Sequence, residues 1–371
     1  MLRPIINAGG GSEVSTVFRS STVRPITLQT FGMQAVRYPG GEPRPTFSYG
    51  TVRNHDYTDP VGGQSMLWKA IETSKGVYDF SGPDRFVNGN AADGSQIVWT
   101  FVASPDWAVT PAAVGGAAYG GKSNMPPTNN VDWTDHVTAM VNRYKSSVKY
   151  WQGWNEPNLT IYYAGATATS ARLAELQRLM YQAVKAADPT ATVLSPPFTS
   201  VFSGIAGLNA FLAASDGAAG TGKNWLDVAS YHYYCNDYSN RPSGIYRMHL
   251  GILAAMQTAG ISKQIWCTET GLINPYFNTF TQDQQNRLLR SYIVTLLALG
   301  VERFLWYQIG NAQMGFGAEG SAVWDEVANQ CIGKSIVYSE VEMQNNAYLA
   351  STIRLSDGSS ISSTYGPMPL V

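Results

Sequence analysis

Two glutamates, Glu156 and Glu269, each close a short apolar run. The first lies in Trp154-Asn155-Glu156-Pro157-Asn158, behind the aromatic-rich Val148-Lys149-Tyr150-Trp151-Gln152-Gly153. The second lies in Gln264-Ile265-Trp266-Cys267-Thr268-Glu269-Thr270-Gly271. Both runs read as buried strands that give way to loops, and a carboxylate at that point is well placed to meet substrate. A pair of such carboxyl groups is what cleavage of a glycosidic bond needs. One protonates the leaving oxygen, and the other attacks the sugar or activates water. The acid requires a raised pKa, which the apolar surroundings of Trp151 and Trp154 supply to Glu156. The attacking group must stay ionised, so Glu269 needs donors. Arg53, ending an earlier apolar run, is the expected cation, with Arg37 the competing choice. His55 and Asp56 follow Arg53 directly and are candidates for hydrogen bonding a more distant sugar.

Positioning two such groups demands a scaffold of strand ends, and the pattern provides one. Short apolar runs alternate with longer helical periods, as in βα units around a parallel sheet. Eight strands are expected at 31–36, 48–53, 96–102, 149–155, 192–195, 226–232, 264–268 and 303–308. The clearest helix spans 281–299, with Thr281 and Gln284 forming a capping box and Gly300 the stop. Others are expected at 134–145, 170–187, 246–258 and, last, 341–355. This is an α/β chain folded as a (β/α)8 TIM barrel, one domain over 1–371, with residues 1–30 a short extension packed on it. Long connections at 38–47, 54–67, 103–130 and 309–337 line the catalytic face.

Composition sets outer bounds. The chain has 371 residues, against roughly 250 for a typical barrel, with insertions accounting for more. Charged residues are 14% and net charge is −1. There is no basic block to suggest nucleic acid or an anionic membrane, and no apolar run long enough to span a bilayer. The first ten residues show no signal-peptide h-region. A surface rich in Gly, Ser, Thr and Asn favours an extracellular or periplasmic setting. The four histidines, His55, His136, His232 and His249, have no metal-ligand spacing. Gly9-Gly10-Gly11 lacks the Lys-Ser/Thr of a phosphate loop. No metal or cofactor is called for. Of the three cysteines, Cys267 falls inside a strand and is expected buried and inert. Cys235 and Cys331 are placed in loops on one barrel face, where a disulfide between them is open.

On these residues the chain resembles clan A of the glycoside hydrolases, retaining (β/α)8 enzymes with the acid/base after the fourth strand and the nucleophile after the seventh. Within the clan it looks closest to family 39 and relatives. Phe31-Gly32-Met33, Trp68 with Ile71-Glu72, Lys75 to Phe80 with Asp84, Pro105-Asp106-Trp107-Ala108 and Trp154 to Asn158 carry the likeness. It departs in Glu269-Thr270-Gly271, where family 39 xylosidases usually carry Glu-Trp, and in leaving no room for their extra β-domain. The resemblance implies that Glu156 is the acid/base and Glu269 the nucleophile. It implies that Asn155 binds the sugar 2-hydroxyl, that a tyrosine in Tyr233-Tyr234 holds the nucleophile, and that His232 faces substrate. Trp306 would floor the subsite of the scissile sugar, and Trp107 is a further binding candidate. The expected activity is retaining hydrolysis of an oligo- or polysaccharide, cut internally by a covalent glycosyl-enzyme route. An exo-acting, xylosidase-like enzyme and a non-catalytic glycan-binding protein are the alternatives.

Overall fold

The computed structural model describes residues 5–6, 15–34, 44–235, 243–272, 281–308, 318–344 and 348–366. Eight parallel strands close on themselves: β1 (Phe31–Gln34), β2 (Thr51–Arg53), β3 (Gln96–Thr100), β4 (Val148–Gln152), β5 (Thr192–Leu194), β6 (Val228–Cys235), β7 (Gln264–Leu272) and β8 (Arg303–Trp306). Each pairs with its sequence neighbour, and β8 pairs with β1 to shut the barrel. The expected strands are present, with ends shifted by a few residues. Helices Ser81–Ala92 (α1), Asn130–Tyr144 (α2), Ser170–Ala187 (α3), Ser203–Ala213 (α4), Ser243–Ala259 (α5), Gln282–Leu299 (α6) and Ala318–Cys331 (α7) form the outer ring. α7 occupies much of the 309–337 stretch read as a loop.

Alternation sorts side chains between the barrel interior and the helices. Val98, Leu194, Val228 and Trp266 fill one interior layer with Tyr150 against them. Arg303 is wedged there, its guanidinium 4.4 Å from the ring centroids of both Tyr150 and Trp266. Gly32 belongs to the tight interior, since a Cβ on it would lie 2.6 Å from Leu305 Cγ. Above this apolar plug the interior turns polar, and there the site begins.

The C-terminal region corrects the sequence reading. Residues 341–355 are not a helix. Ser335–Gln344, Tyr348–Leu355 and Ser360–Tyr365 form an antiparallel sheet, which Ser15–Ser20 and Arg24–Pro25 join along Ser335–Gln344. Val341, Met343, Leu349, Ser351, Ile353 and Leu355 are all buried while their neighbours are not, a period of two that fits a strand and no helix face. The described part of the N-terminal extension therefore joins the C-terminal strands in a small β-sheet. Its buried face covers α6, with Thr295 Oγ1 2.7 Å from Ser351 Oγ and Ser339 donating to Ala298 O at 2.7 Å. This explains why α6 is buried on all sides from Ser291 to Leu299, being caught between barrel and sheet.

The placement of Cys331 in a loop is also corrected, while the side chain of Cys235 lies outside the described residues. Cys331 is a free, buried thiol at the last residue of α7. Barrel helices run back against their strands, so this end lies opposite the face where β6 finishes at Cys235. Cys267 is wholly buried, and desolvation pushes its thiol up to about 12, so it stays unreactive.

Ile353→Ala is expected to destabilise the fold by about 2–5 kcal/mol, and Thr352→Ala on the opposite face by under about 0.5 kcal/mol. Denaturant unfolding checks both.

Candidate active site

The polar layer is organised by Arg53, which reaches the interior at the end of β2 and is wholly buried. Its Nε donates to Thr100 Oγ1 (2.9 Å) and Gln152 Oε1 (2.8 Å). Its Nη2 donates to Asn155 Oδ1 at 2.7 Å, and its Nη1 to Glu269 Oε2 at 2.6 Å. Of the two arginines considered for this role, Arg53 holds Glu269; Arg37 lies outside the described residues. Gln152 extends the network, donating to Ser230 Oγ (3.0 Å) and Thr268 Oγ1 (2.8 Å).

Glu269 arrives by a local irregularity. Against β6, Tyr231 pairs with Cys267 and His232 with Glu269, so Thr268 is passed over, and β8 also skips one residue of β7. A bulge of this kind re-aims side chains. Here it lets the consecutive Thr268 and Glu269 both face the interior, Thr268 meeting Gln152 and His232, Glu269 meeting Arg53 and Tyr234. Alternation on β6 continues to its end. Ser230, His232 and Tyr234 point inward, while Tyr231 and Tyr233 pack toward the helices beside His249 and Tyr292. Tyr234, rather than Tyr233, donates its hydroxyl to Glu269 Oε1. Gly271 makes this possible, because a Cβ there would lie 2.7 Å from Tyr307 O and 3.3 Å from the Tyr234 ring.

Glu156 sits in the turn after β4 with a positive φ of 39°, a conformation rare for residues other than glycine and concentrated at functional sites. Pro197 O accepts from its backbone N–H at 3.1 Å. Its Oε1 is 2.8 Å from His232 Nδ1, while His232 Nε2 is 3.1 Å from Thr268 Oγ1. Burial and the nearby charge of Glu269 push the Glu156 carboxyl well above the usual range, against the pull of Arg53. Burial, then Arg53 and His55, push His232 well below its usual value. The neutral imidazole therefore does not compete with Glu156 for the proton. One oxygen from each glutamate and a ring nitrogen of His232 lie within 4.8 Å of one another, a spacing that could suit a metal ion. Both oxygens of Glu269 already accept from Arg53 and Tyr234, an arrangement that suits a carboxylate held as a free anion.

His55 and Asp56 also come to the site. Asp56 has a φ of 62°, accepts from Tyr119 Oη at 2.7 Å and from Tyr307 Oη at 3.1 Å, and lies 3.4 Å from His55 Nδ1. Burial opposes its charge, but His55 and the hydrogen bonds from His55, Tyr119 and Tyr307 outweigh it and hold the carboxyl below the usual range. Tyr162 completes a wall with Tyr119 and His55, ring centroids 5.9 and 6.1 Å away.

Two candidates are placed elsewhere. Trp306 is wholly buried on the helix side of β8, edge-on to Tyr292 at 6.0 Å. Tyr307, the next residue, takes the inward position, its ring 6.1 Å from Tyr234. The cause is alternation, since Leu305 faces inward against Gly32. Trp107 packs edge-on against Trp68 at 6.1 Å and donates to Glu72 O at 3.0 Å, a contact that fastens its loop. Gln34, Thr100, Gln152, Thr268 and Tyr307 were not singled out from the sequence. Period-two alternation counted back from Arg53 reaches Thr51, and from Asn155 reaches Gly153 and Trp151, so it does not find them.

A closed parallel barrel whose polar mouth presents two glutamates from β4 and β7 is the scaffold of a glycoside hydrolase. The family description "Glycosyl hydrolase catalytic core" matches residues 87–326, more than half of the chain, and the chain belongs to that family. Solved structures share the fold. A glucosidase from Croceicoccus marinus superimposes with a TM-score of 0.61 at 14% identity, covering 93% of this chain and 82% of that one. A GH39 enzyme from Xanthomonas axonopodis pv. citri gives 0.60 at 15%, covering 89% and 72%. A family 30 subfamily 8 xylanase from Clostridium acetobutylicum gives 0.57 at 14%, covering 90% and 84%. The family match and these folds agree with the likeness drawn from the motifs. Among the described residues no helix is long and apolar enough to cross a membrane.

Because the Glu156 carboxyl is pushed above its usual range by burial and by Glu269, the folded state loses stability as pH rises from the unfolded carboxyl pKa toward the raised folded one, at about 1.4 kcal/mol per unit of elevation. Glu156→Gln should thus raise Tm at pH 7 relative to the parent, and the gain should shrink toward zero near pH 4. Paired thermal melts across that range check it; a difference independent of pH would contradict the assignment.

Proposed function

We propose that the protein is a retaining glycoside hydrolase with Glu269 as nucleophile and Glu156 as acid/base, acting within oligo- or polysaccharide chains. The observation that carries this reading is the pairing of a neutral-leaning Glu156 with a donor-held Glu269, their nearest oxygens within 4.8 Å. Retaining enzymes hold their carboxyl groups about 5–5.5 Å apart, and inverting ones further, to admit a water. Glu269 attacks the anomeric carbon as the bond to the leaving oxygen breaks, and the Glu156 proton goes to that oxygen. Glu156, now ionised, takes a proton from water, whose oxygen displaces Glu269 and restores both groups. Asn155, anchored by Arg53, presents its amide beside the reacting sugar, and His232 orients Glu156. An internal cut requires room on the leaving-group side, beyond Glu156. The loop there joins the Glu156 turn through Asn158, which donates to Thr199 O (2.9 Å) and Ser203 Oγ (3.1 Å). It ends in Phe202, 74% exposed with the Arg247 guanidinium 5.4 Å from its ring centroid. An exposed ring beside the acid/base turn suits a sugar face in a leaving-group subsite.

Glu269→Ala and Glu156→Ala should each lower kcat on natural glycans by about 10²–10⁴-fold without loss of fold. On activated aryl glycosides, whose leaving group needs little protonation, Glu156→Ala should keep more activity than Glu269→Ala. NMR of the first-formed anomer should show retention; inversion, or small equal losses in both variants, would refute the pair.

Time-resolved sizing of a digested polysaccharide should show an early fall in chain length with mixed oligomers. Phe202→Ala should weaken kcat/KM severalfold on oligosaccharides but not on aryl glycosides. Monosaccharide as sole product from the first time point would decide for an exo-acting enzyme.

A further inference from the structure

Among the described residues, Asp56 is a charged group at the mouth that takes no direct part in the bond cleavage described above, yet it is built in with care. It occupies a left-handed backbone position that only Asn, Asp and Gly adopt readily. Its carboxylate is fixed by two hydroxyl donors from different loops, Tyr119 after β3 and Tyr307 after β8. Its side chain is still 23% exposed. A carboxylate offers about four lone-pair positions; the two tyrosines take two of them, and His55 Nδ1 makes a third contact, 3.4 Å from Oδ2. What remains faces the cleft as acceptor only.

Its position ties it to the sugar that is attacked. Tyr307 packs edge-on against Tyr234, whose hydroxyl donates to Glu269. Asp56, Tyr307, Tyr234 and Glu269 thus form one continuous wall on the nucleophile side. The sugar whose anomeric carbon meets Glu269 lies along that wall. We propose that Asp56 anchors this sugar through its hydroxyl groups and selects a neutral glycone against a uronic acid. The proposal rests on the reading of Glu269 as nucleophile.

The charge balance supports it. Asp56, Glu156 and Glu269 bring three carboxyl groups to one mouth. Among the described residues the cations beside them are already engaged. Arg53 is wholly buried and spends its donors on protein groups. His55 is 2% exposed, with Nε2 against Tyr119 and Nδ1 3.4 Å from Asp56 itself, so it too faces protein groups. Lys69 Nζ donates to the carbonyls of Tyr119 and Gly120 and so braces the loop. A glycone carboxylate brought beside Asp56 would meet like charge at short range in a partly desolvated cleft, where repulsion is strong. Hydroxyl donors meet a fixed, charged acceptor, which gives the stronger class of hydrogen bond.

The test separates binding from turnover. The inactive Glu269→Gln protein is applied to an array of neutral and uronate-containing glycans. Neutral glycans should dominate binding, and Glu269→Gln with Asp56→Asn should bind the same glycans about tenfold more weakly while its circular dichroism is unchanged. With the active protein, Asp56→Asn should lower kcat/KM on the neutral glycan mainly through KM, and should narrow its preference over the matching uronide at least tenfold. Dominance of uronate glycans on the array, no glycan bound, or an unchanged preference in Asp56→Asn would each overturn the proposal. Neutral glycans that bind but resist the active protein would instead sink the catalytic reading.

Discussion

Everything at the barrel mouth depends on the burial of Arg53. A guanidinium without solvent contact is tolerated only when its donors are met and its charge is balanced, because the desolvation cost is several kcal/mol per ion. Its partners come from separate strands: Gln34 from β1, Thr100 from β3, Gln152 from β4, and Glu269 from β7, with Asn155 just beyond β4. Satisfying one side chain thus fixes the relative height of most of the barrel. The same act leaves Glu269 with a cation on one oxygen and the Tyr234 hydroxyl on the other. A carboxylate so held has its hydrogen-bond donors supplied by the protein rather than by water.

The second glutamate takes its character from the first. Glu156 lies close enough to Glu269 to feel its charge, is buried, and has a neutral histidine as its nearest partner. The two carboxyl groups stand in unequal surroundings, since Glu269 has the guanidinium against it and Glu156 does not. The proposed division of labour between acid and nucleophile rests on that asymmetry. Strain marks the same face. The non-glycine residues with positive φ among those described are Asp56, Ala103, Glu156 and Ser200, and each lies in a connection following β2, β3, β4 or β5. The apolar plug below carries no such residue, which is the usual separation between a stable barrel bottom and a working top.

Stability and function are also divided between the barrel and the β-sheet. The C-terminal strands and Ser15–Ser20 cover the outer side of α6, a helix too apolar to face water. Without that cover its outer leucines would form an exposed patch of the kind that drives association. The sheet therefore lets the chain keep a helix with two buried faces behind β7, the strand that carries Glu269.

Much of this was legible in the amino-acid sequence. Eight apolar runs and capped helical periods sufficed for the barrel, since hydrophobic periodicity is a local property. Glu156, Glu269, Arg53 and Asn155 were visible because each ends or follows a strand in a residue type that burial would otherwise exclude. The alternation of Val341 to Leu355 was present too, but Glu and Gln between the apolar positions also fit a helix period. Only the packing of that segment on α6 decides for a strand. Tertiary structure alone placed the rest. A bulge in β7 turns Thr268 and Glu269 the same way, and no alternation rule predicts an inserted residue. The inward turn of Tyr307 rather than Trp306 depends on where Leu305 meets Gly32 across the β8–β1 seam. The choice of Tyr234 over Tyr233 depends on the space left by Gly271. Residue type and period are written along the chain, but which face a side chain takes at a strand end is set by the strand beside it.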